Sequence, residues 1–549
     1  MKRRKLAIGL AVLILLVAWP LRGTASPVEE EDIEQAILDG LLWLVDQQNL
    51  VESSPDYGSW ESSSWKIAPT AFAVLKLETY AVETGQLNEE GKIDQVMIGE
   101  TDYYPNLMAG LEYLMANAAT MDLDDPDANE DGKAIYFSGS IYDTSIAMMA
   151  IAASTHPEWT ATINMVVMTY EDILQDAVDY LVYAQNVGED KGAHRGGWGY
   201  QLYTGGYFMS DQSNSGYAVL GLAYAQASPP YGFELEIPET TKDELNFWIE
   251  WAQCDDGGSK YYPDYAGCYW ENTLKTGNLL FEMALVGDTK DTPRVQDAIS
   301  YIEAHWYDLN LITGWGWNDP TGPSIAQYQA AYCLMKGLES MNIELDEMDG
   351  IDNWYLDLAD VIVPQQTDDG YWRSSPCYVW PHGSYGTMSG TVLSTEWALL
   401  TLEKAAPPVG VIPVFIDIKP GSCPNPLNPK SKGVLTVAVL GTEGFDVTTI
   451  DPASILLSLE GIVGGVEPIR WSDEDVATPF EGELCDCHDL DGDGYMDLIL
   501  KFDTQDLVET LGLGGYAGET IHLTLTGNLK AEGDDVGPPI QGSDCVRIK

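Results

Sequence analysis

The 549-residue sequence predicts a mainly α-helical protein in which an α/α toroid of six helix pairs precedes a small all-β sandwich. Three observations lead to this prediction. Helical periodicity repeats through residues 29–405, a turn rich in Gly and aromatic residues recurs between the helices, and short β-branched runs replace this pattern after residue 413. We therefore assign residues 29–405 to the toroid, 406–413 to a Pro-rich linker and 414–549 to the sandwich.

The N-terminal segment has the composition of a secretory signal. Basic residues at positions 2–5 precede an apolar run, and small residues surround Ala25. The apolar run is shorter than the roughly 20 residues that a spanning helix needs. We therefore expect residues 1–25 to be removed, and the mature protein to be secreted without a transmembrane segment.

The chain is strongly acidic, with 27 basic and 86 acidic side chains and a net charge of −59. Such a surface repels a phosphate backbone, so nucleic acid is excluded as a partner. Hydrophobic residues make up 45% of the chain, which is enough for a large core, so the acidity does not indicate disorder.

Two kinds of helix alternate through residues 29–405. The first kind is amphipathic and ends in Gln before a Gly/aromatic turn, which we call the knot; GLLWLVDQQN and the knot at residues 58–60 are the first example. The second kind, such as TSIAMMAIAA, is apolar nearly all round and must be covered by other helices. Its copies align on one small residue near the helix start: Thr70, Thr144, Ser215, Thr276, Ala331 and Thr395. Six pairs that close on themselves give inner helices inside a ring of outer helices.

The knots resemble the QW repeats of squalene-cyclase-type terpenoid cyclases and protein prenyltransferases. The matching residues are Trp43, Leu44, Gln48, Gly58 and Trp60 in one copy, Tyr180, Leu181, Gln185, Gly197 and Trp198 in another, and Gln366, Gly370 and Trp372 in the last. The resemblance implies a toroid in which the Gln and Trp side chains tie an outer helix to the following turn. That role is structural.

The catalytic motifs of that family are missing from this sequence. The Asp-rich DxDD acid of squalene cyclases is absent, and the positions that would hold the prenyltransferase zinc ligands read SDQSNSGY and GTVLSTEW. The resemblance therefore implies the fold and leaves the chemistry open.

The C-terminal segment contains β-branched runs separated by turn residues, which predicts a sandwich of about seven strands. Its strings IDIKPGS, FDVTTIDPASI, EDVATPF and IQGSDCVRI resemble a module at the C-termini of exported bacterial and archaeal proteins.

The string DLDGDGYMDLILKF predicts a calcium loop. Its spacing places Gly494 at the turn and Leu500 where an EF-hand has Glu. The predicted ligands are Asp489, Asp491, Asp493, the backbone carbonyl of Tyr495, and Asp497. A weaker second calcium loop contains Asp127, Asn129 and Asp131 before Gly132, with a solvated acidic turn as the alternative.

The eight cysteines of an exported chain favour disulfides over free thiols. Cys254 with Cys268 is the best pair in the helical part, and Cys333 with Cys377 is a weaker one. In the C-terminal part, Cys423 with Cys545 is favoured over pairs through the CDC triplet at residues 485–487.

Polar residues cluster near the starts of the inner helices, and closure of the toroid would gather them around one funnel. The candidate catalytic residues are Asp143, Asp211, Glu271 and Glu396. The candidate ligand-binding residues are Gln212, Asn272, Gln327, Gln329, Trp198, Tyr200, Trp317 and Trp372. Carboxylates and aromatic rings suit a carbohydrate, and burial of the mid-helix Glu396 would raise its pKa.

Structural alternatives stay open for these residues. Asp211 and Asp143 have the position of N-caps, Glu396 could be a buried hydrogen-bonded residue, and the knot aromatics could serve packing. Our main functional hypothesis is a secreted protein that binds a glycan or another surface polymer. A carbohydrate-active hydrolase or lyase is the alternative, and a terpenoid cyclase or transferase is the second alternative.

Overall fold

The computed structural model contains two large hydrophobic cores, one formed by residues 33–405 and the other by residues 414–548. The structure describes residues 28, 30–62, 65–88, 91–123, 132–202, 209–262, 268, 270–290, 292–308, 314–317, 325–341, 343, 345, 353–375, 389–406, 412–422, 425–442, 445–459, 465–477, 494–530 and 539–549. The predicted signal lies outside these residues, as do Asp127, Asn129, Asp131, Asp489, Asp491 and Asp493.

The first core is built from α-helices that alternate between two environments. These helices are α1 (Glu30–Asp46), α2 (Ile67–Glu83), α3 (Tyr104–Ala116), α4 (Ile141–Ala152), α5 (Tyr170–Ala184), α6 (Gln212–Gln226), α7 (Glu239–Ala252), α8 (Thr273–Leu285), α9 (Pro293–His305), α10 (Tyr328–Ser340), α11 (Trp354–Ile362) and α12 (Thr391–Leu402). The even-numbered helices are buried over almost their whole length, because their apolar residues lie on every side. The odd-numbered helices bury one face only.

The even-numbered helices contact one another in sequence order, and the last contacts the first. Helix α2 packs on α4, α4 on α6, α6 on α8, α8 on α10 and α10 on α12, and α12 packs on α2. Each odd-numbered helix packs against an even-numbered neighbour. These contacts form a closed cycle rather than an open stack.

The knots join the two sets of helices through their Trp residues. The indole Nε1 of Trp60 donates to the backbone carbonyl of Leu44 at 2.7 Å, and Trp198 makes the same bond to Leu181 at 2.7 Å. In the last copy Trp372 donates to Ile362 at 2.8 Å. All three Trp side chains are fully buried, so they contribute to helix packing.

Short antiparallel hairpins connect several helices of the first core. They pair β1 (Met97–Ile98) with β2 (Thr101–Asp102), β3 (Ala118–Asp122) with β4 (Lys133–Phe137), β5 (Thr160–Ile163) with β6 (Val166–Thr169), and β7 (Gly316–Trp317) with β8 (Ile325–Ala326). The purely helical pattern predicted for residues 29–405 did not include these hairpins.

The second core lies between two sheets. The strands are β9 (Ile412–Pro413), β10 (Ile416–Ile418), β11 (Pro426–Leu427), β12 (Val434–Val439), β13 (Ile450–Ser458), β14 (Arg470–Glu474), β15 (Asp497–Asp503), β16 (Thr520–Leu529) and β17 (Pro539–Ile548). One sheet has the order β10-β12-β15-β14, and the other has the order β11-β17-β16-β13 with β9 beside β17. A helix, α13 (Thr504–Thr510), follows β15. Both sheets contribute apolar side chains to the same core, as alternating strands do.

The cysteine pairing in the structure agrees with only part of the predicted pairing. Cys254 and Cys268 form the predicted disulfide. Cys333 is a buried free thiol, so the predicted pair with Cys377 is wrong. Cys545 is disulfide-bonded, and its predicted pair with Cys423, which lies outside the described residues, stays a prediction. In the described part of the chain, no helix has the length and apolar character required to cross a membrane.

Candidate functional site

Four tyrosines lie together where α4 and α6 begin and where the neighbouring knots reach them. We call Tyr142, Tyr200, Tyr217 and Tyr261 the tyrosine cluster. The backbone amide of Ile141 donates to the carbonyl of Tyr200 at 3.0 Å, and that of Gln212 donates to Tyr261 at 3.1 Å. These bonds fix both knot tyrosines to the starts of the inner helices.

The cluster runs from the solvent into the core. Tyr200 is 47% exposed, and its ring centroid lies 6.0 Å from that of Tyr142. Tyr142 lies 4.8 Å from Tyr217, which is 1% exposed. The hydroxyls of Tyr200 and Tyr261 are 3.0 Å apart, and Tyr261 is 3.3 Å from the hydroxyl of Ser213. The surface therefore offers aromatic faces beside paired hydroxyls.

Burial raises the pKa values of Tyr142 and Tyr261, and nearby charge on Asp211 adds to the pKa increase of both. Both phenols consequently stay neutral at ordinary pH and can donate as well as accept hydrogen bonds.

Asp211 is the N-cap of α6. Its Oδ1 accepts from the backbone amides of Ser213 and Asn214, both at 3.0 Å, and from the Ser213 hydroxyl. Its Oδ2 accepts from the side-chain amide of Asn214 at 2.8 Å. Burial raises the pKa of Asp211, and these hydrogen bonds oppose the increase. Both oxygens are engaged within the helix start, as the capping alternative requires.

The disulfide loop forms the next part of this surface. The Trp270 ring lies 6.1 Å from Tyr261 and 6.2 Å from Tyr262, and Trp270 adopts a φ of 65°, which is rare for a bulky residue. Lys275 lies 5.9 Å from the Tyr261 ring, and burial lowers its pKa to about 7. Trp270, which follows the disulfide loop directly, thus adds a second kind of aromatic ring beside the tyrosine cluster.

Glu271 lies next to Trp270 and is partly exposed. Its Oε2 has no hydrogen-bond partner among the described residues. Burial raises the pKa of its carboxyl, and the charge of Asp256 raises it further. Of the four predicted catalytic residues, Glu271 thus combines a raised pKa and a partly exposed side chain with a buried carboxylate oxygen that has no hydrogen bond among the described residues.

A polar network lies beneath the cluster. Gln212 donates to the carboxylate of Glu282 at 2.9 Å and accepts from the indole of Trp248 at 2.9 Å. Gln212 is fully buried, which differs from its predicted contact with a ligand. Lys336 lies 5.2 Å from the rings of both Tyr217 and Phe281.

Glu282 and Lys336 are not among the site residues predicted from the sequence. In the sequence, each of them stands out as a charged residue inside an otherwise apolar inner helix, in the strings FEMAL and CLMKG. Such residues are expensive to bury, so they mark positions where the interior is polar.

The other two predicted catalytic residues, Asp143 and Glu396, share no hydrogen-bond partner with Asp211 in the described part of the chain. The carboxylate of Asp143 accepts from the Ser138 hydroxyl and from the backbone amide of Ala68, the second residue of α2. Burial raises the pKa of Asp143. Glu396 is fully buried, has no hydrogen-bond partner among the described residues, and has a pKa well above its usual value because of burial. Its burial gives it no route to a polymeric ligand.

Most of the remaining predicted binding residues cap helices or are buried against them. Asn272 and Gln327 cap α8 and α10 by accepting from the backbone amides of Lys275 and Ala330. Gln329 is buried in α10. Trp198 and Trp372 lie under the outer helices instead of at the predicted rim, because their indole N–H groups bond to those helices. The backbone of Trp317 is in β7, and its side chain lies outside the described residues.

Two of the five predicted calcium ligands, Tyr495 and Asp497, are described, and so is the turn glycine Gly494. Gly494 has a φ of 96°, as its turn position requires, while the Tyr495 side chain is 41% exposed. Asp497 is fully buried and accepts backbone amides from Gly441 at 3.0 Å, Val476 at 2.7 Å and Ala477 at 3.2 Å. This arrangement differs from the predicted ligand role, because its oxygens hold β15 to the adjacent segments.

No family model matches this chain, and no curated protein matches it. Among solved structures, a type II terpene cyclase, MstE from Scytonema, is 13% identical, with 68% of this chain and 97% of that chain covered and a TM-score of 0.41. An unsaturated glucuronyl hydrolase specific for heparin is 10% identical over 68% and 97%, with a TM-score of 0.40. An endoglucanase, CelQ from Clostridium thermocellum, is 9% identical over 86% and 92%, with a TM-score of 0.33. At TM-scores below 0.5, these similarities assign neither a fold nor an activity to this chain.

Proposed function

We propose that the protein is a secreted α/α toroid with a C-terminal β-sandwich, and that it binds a glycan or another surface polymer at the tyrosine cluster. The closed cycle of contacts among the even-numbered helices supports the toroid. The single core shared by two sheets supports the sandwich. The basic and apolar segment at residues 1–25 supports export.

The observation that carries the binding proposal is the partly exposed aromatic surface beside hydroxyl groups. The 47% exposed Tyr200 packs near Tyr142, while the hydroxyls of Ser213 and Tyr261 lie at the same place. Binding sites of this kind combine aromatic area with a few placed polar groups, which suits the apolar faces and hydroxyls of a sugar ring. The engaged carboxylate of Asp211 favours binding over hydrolysis, since hydrolysis of a glycoside needs two available carboxyl groups.

Co-sedimentation with insoluble polysaccharides, followed by titration calorimetry with soluble fragments, tests this proposal. We expect Tyr200→Ala to weaken binding by about tenfold, because it removes the exposed ring of the site. Tyr183→Ala is the matched control, since Tyr183 is 38% exposed on α5 outside the cluster. Equal binding by the wild type and Tyr200→Ala, in a chain that binds a polysaccharide, would contradict the proposal.

A carbohydrate-active hydrolase or lyase is the second candidate, and Glu271 favours it. A partly exposed glutamate whose carboxyl has a raised pKa is suited to general acid catalysis. Release of reducing ends or unsaturated products from polysaccharides is the measurement. If this candidate is right, Glu271→Gln abolishes product release while polysaccharide binding stays within about twofold. Unchanged turnover in Glu271→Gln excludes Glu271 as the acid.

We also propose that calcium binds the loop at residues 489–495 and stabilises the sandwich. The positive φ of Gly494 supports the required turn, and Asp489, Asp491, Asp493 and the Tyr495 carbonyl would supply oxygen ligands. Asp497 would hold the loop end through its three backbone bonds. Removal of calcium with EDTA should lower the melting temperature, and Asp491→Asn should abolish that EDTA effect. An unchanged melting temperature would refute the proposal.

A further inference from the structure

A depression of about 460 Å³ lies on the outside of the helical part, away from the tyrosine cluster. It is bounded by α3, by the β5–β6 hairpin and by the start of α5. The residues that define its chemistry are Met108, Glu112, Met115, Trp159 and Tyr170. Its volume is within the range of sites for small organic ligands.

Two aromatic rings form a corner in this depression. The Trp159 and Tyr170 rings are 5.8 Å apart with an interplanar angle of 86°. Behind the corner, the Trp159 ring stacks on His156 at 3.8 Å and 7°. The ring nitrogens of His156 lie 2.8 Å from the Glu158 carboxylate and 3.1 Å from the Ile93 carbonyl. The orientation of Trp159 is therefore set by contacts outside the depression.

The backbone holds the same corner. The backbone amide of Tyr170 donates to the carbonyl of Trp159 at 2.7 Å, and the backbone amide of Trp159 donates to the carbonyl of His156 at 3.1 Å. A site held in this way loses little conformational freedom when a ligand binds.

The described residues that line the depression carry only negative charge. Glu112 is exposed and is the only ionic side chain among the residues that line the depression in the described structure. Lys92 lies nearby, but its ammonium group is 3.4 Å from Glu158, outside the lining. The net charge of −59 also attracts cations to the protein surface.

We propose that this depression binds an organic cation with alkyl substituents, of the quaternary or methylated ammonium class. The partly exposed Trp159 ring attracts such a cation through its quadrupole, the buried Tyr170 ring supports one side, and Glu112 supplies the opposite charge. The thioethers of Met108 and Met115 adapt to alkyl groups. This site is separate from the tyrosine cluster and does not depend on the glycan proposal.

Titration calorimetry of the full chain at low salt, with choline as the probe, tests the proposal. The uncharged isostere 3,3-dimethylbutan-1-ol has the same shape without the charge. We expect choline to bind at least about tenfold more tightly than the alcohol. Trp159→Ala should weaken choline binding by about tenfold or more, and Glu112→Gln should weaken it severalfold.

Matched controls separate this site from general surface effects. Trp251→Ala removes a 48% exposed Trp on α7, and Glu250→Gln neutralises an exposed carboxylate on the same helix. Both controls should bind choline as the wild type does. Equal affinity for choline and the alcohol would overturn the proposal, as would unchanged choline binding by a folded Trp159→Ala variant.

Discussion

The side-chain amide of Gln366 donates 2.8 Å hydrogen bonds to the backbone carbonyls of both Gly370 and Ala36, and so joins the last knot to α1 across 330 residues of sequence. Three other knots repeat this double bond to their own Gly and to the next odd-numbered helix. The acceptors on those helices are Asn106 for Gln48, Thr241 for Gln185 and Arg294 for Gln253. Because the bond from Gln366 returns to α1, the same local device that links neighbours also closes the cycle.

Replacement of this closing residue should destabilise the helical part. Gln366→Ala removes two donors from partly buried carbonyls, and we expect the free energy of unfolding to fall by about 1–2 kcal/mol. Gln47→Ala is the control, because the Gln47 amide makes a single exposed bond to the Trp43 carbonyl. Urea unfolding of both variants measures the difference. Equal losses for the two variants would show that Gln366 does not contribute through closure.

The knot glycines are a second point of contact with the next helix. A Cβ on Gly58 would lie 2.0 Å from the Ala109 carbonyl oxygen, and its φ is 89°. A Cβ on Gly91 would meet nothing within 4 Å at a similar φ of 69°. Gly91→Ala should therefore cost only the backbone strain of about 1 kcal/mol, while Gly58→Ala should cost about 3 kcal/mol because α3 must move.

Thermal and urea unfolding of this pair separate strain from steric conflict. The contact interpretation requires Gly58→Ala to lose clearly more stability than Gly91→Ala. Similar losses would mean that the positive φ alone explains the glycine at position 58.

The repeat was readable from the sequence because most copies make the same local bond. Five of the six aligned small residues carry a hydroxyl that accepts a knot backbone amide: Trp60 to Thr70 at 3.0 Å, Phe137 to Thr144 at 3.0 Å, Trp198 to Ser215 at 3.0 Å, Ser259 to Thr276 at 3.1 Å and Trp372 to Thr395 at 3.1 Å. Ala331, the sixth, has no hydroxyl. A requirement repeated within a few residues leaves a sequence period, whichever way the helices pack.

Features that depend on how distant helices face each other left no such period. The sequence does not distinguish the knot aromatic that packs inward, Trp198, from the one that faces solvent, Tyr200, although only two residues separate them. In one copy the predicted knot glycine was displaced by one residue, although the Gly-x-Trp spacing of the other copies points to Gly196. Gly196, with a φ of 83°, accepts from Gln185, whereas Gly197 was assigned that place.

Glu282 predicts a pH dependence of stability. Burial raises its pKa to about 8, although Gln212 donates a hydrogen bond to it and Lys336 lies nearby. Because the folded-state pKa exceeds the unfolded value of 4.5, the folded protein retains a proton that the unfolded chain loses. The stability that the folded protein gains from this retained proton is fully present below pH 4.5 and is lost as the pH rises towards 8. Glu282→Gln, which keeps an acceptor for Gln212, should therefore gain about 2–4 kcal/mol relative to the wild type between pH 5 and 8.

Denaturant unfolding at a series of pH values measures this relative gain. Glu250→Gln, at an exposed position on α7, should follow the wild type at every pH. A difference between Glu282→Gln and the wild type that does not change with pH would show that Glu282 is ionised in the folded protein.

Asp211 provides a test of capping against function at one position. Asp211→Asn keeps an oxygen for the backbone amides of Ser213 and Asn214, so we expect it to lose at most about 0.5–1 kcal/mol. Asp211→Ala leaves those buried amides without an acceptor and should lose about 2 kcal/mol. Both variants should retain polysaccharide binding at temperatures where they are folded, because neither changes the exposed face of Tyr200. Urea unfolding and co-sedimentation at 15 °C measure the two properties. If Asp211→Asn keeps its stability but loses binding or turnover, the carboxylate acts on the ligand, and its role as a cap is secondary.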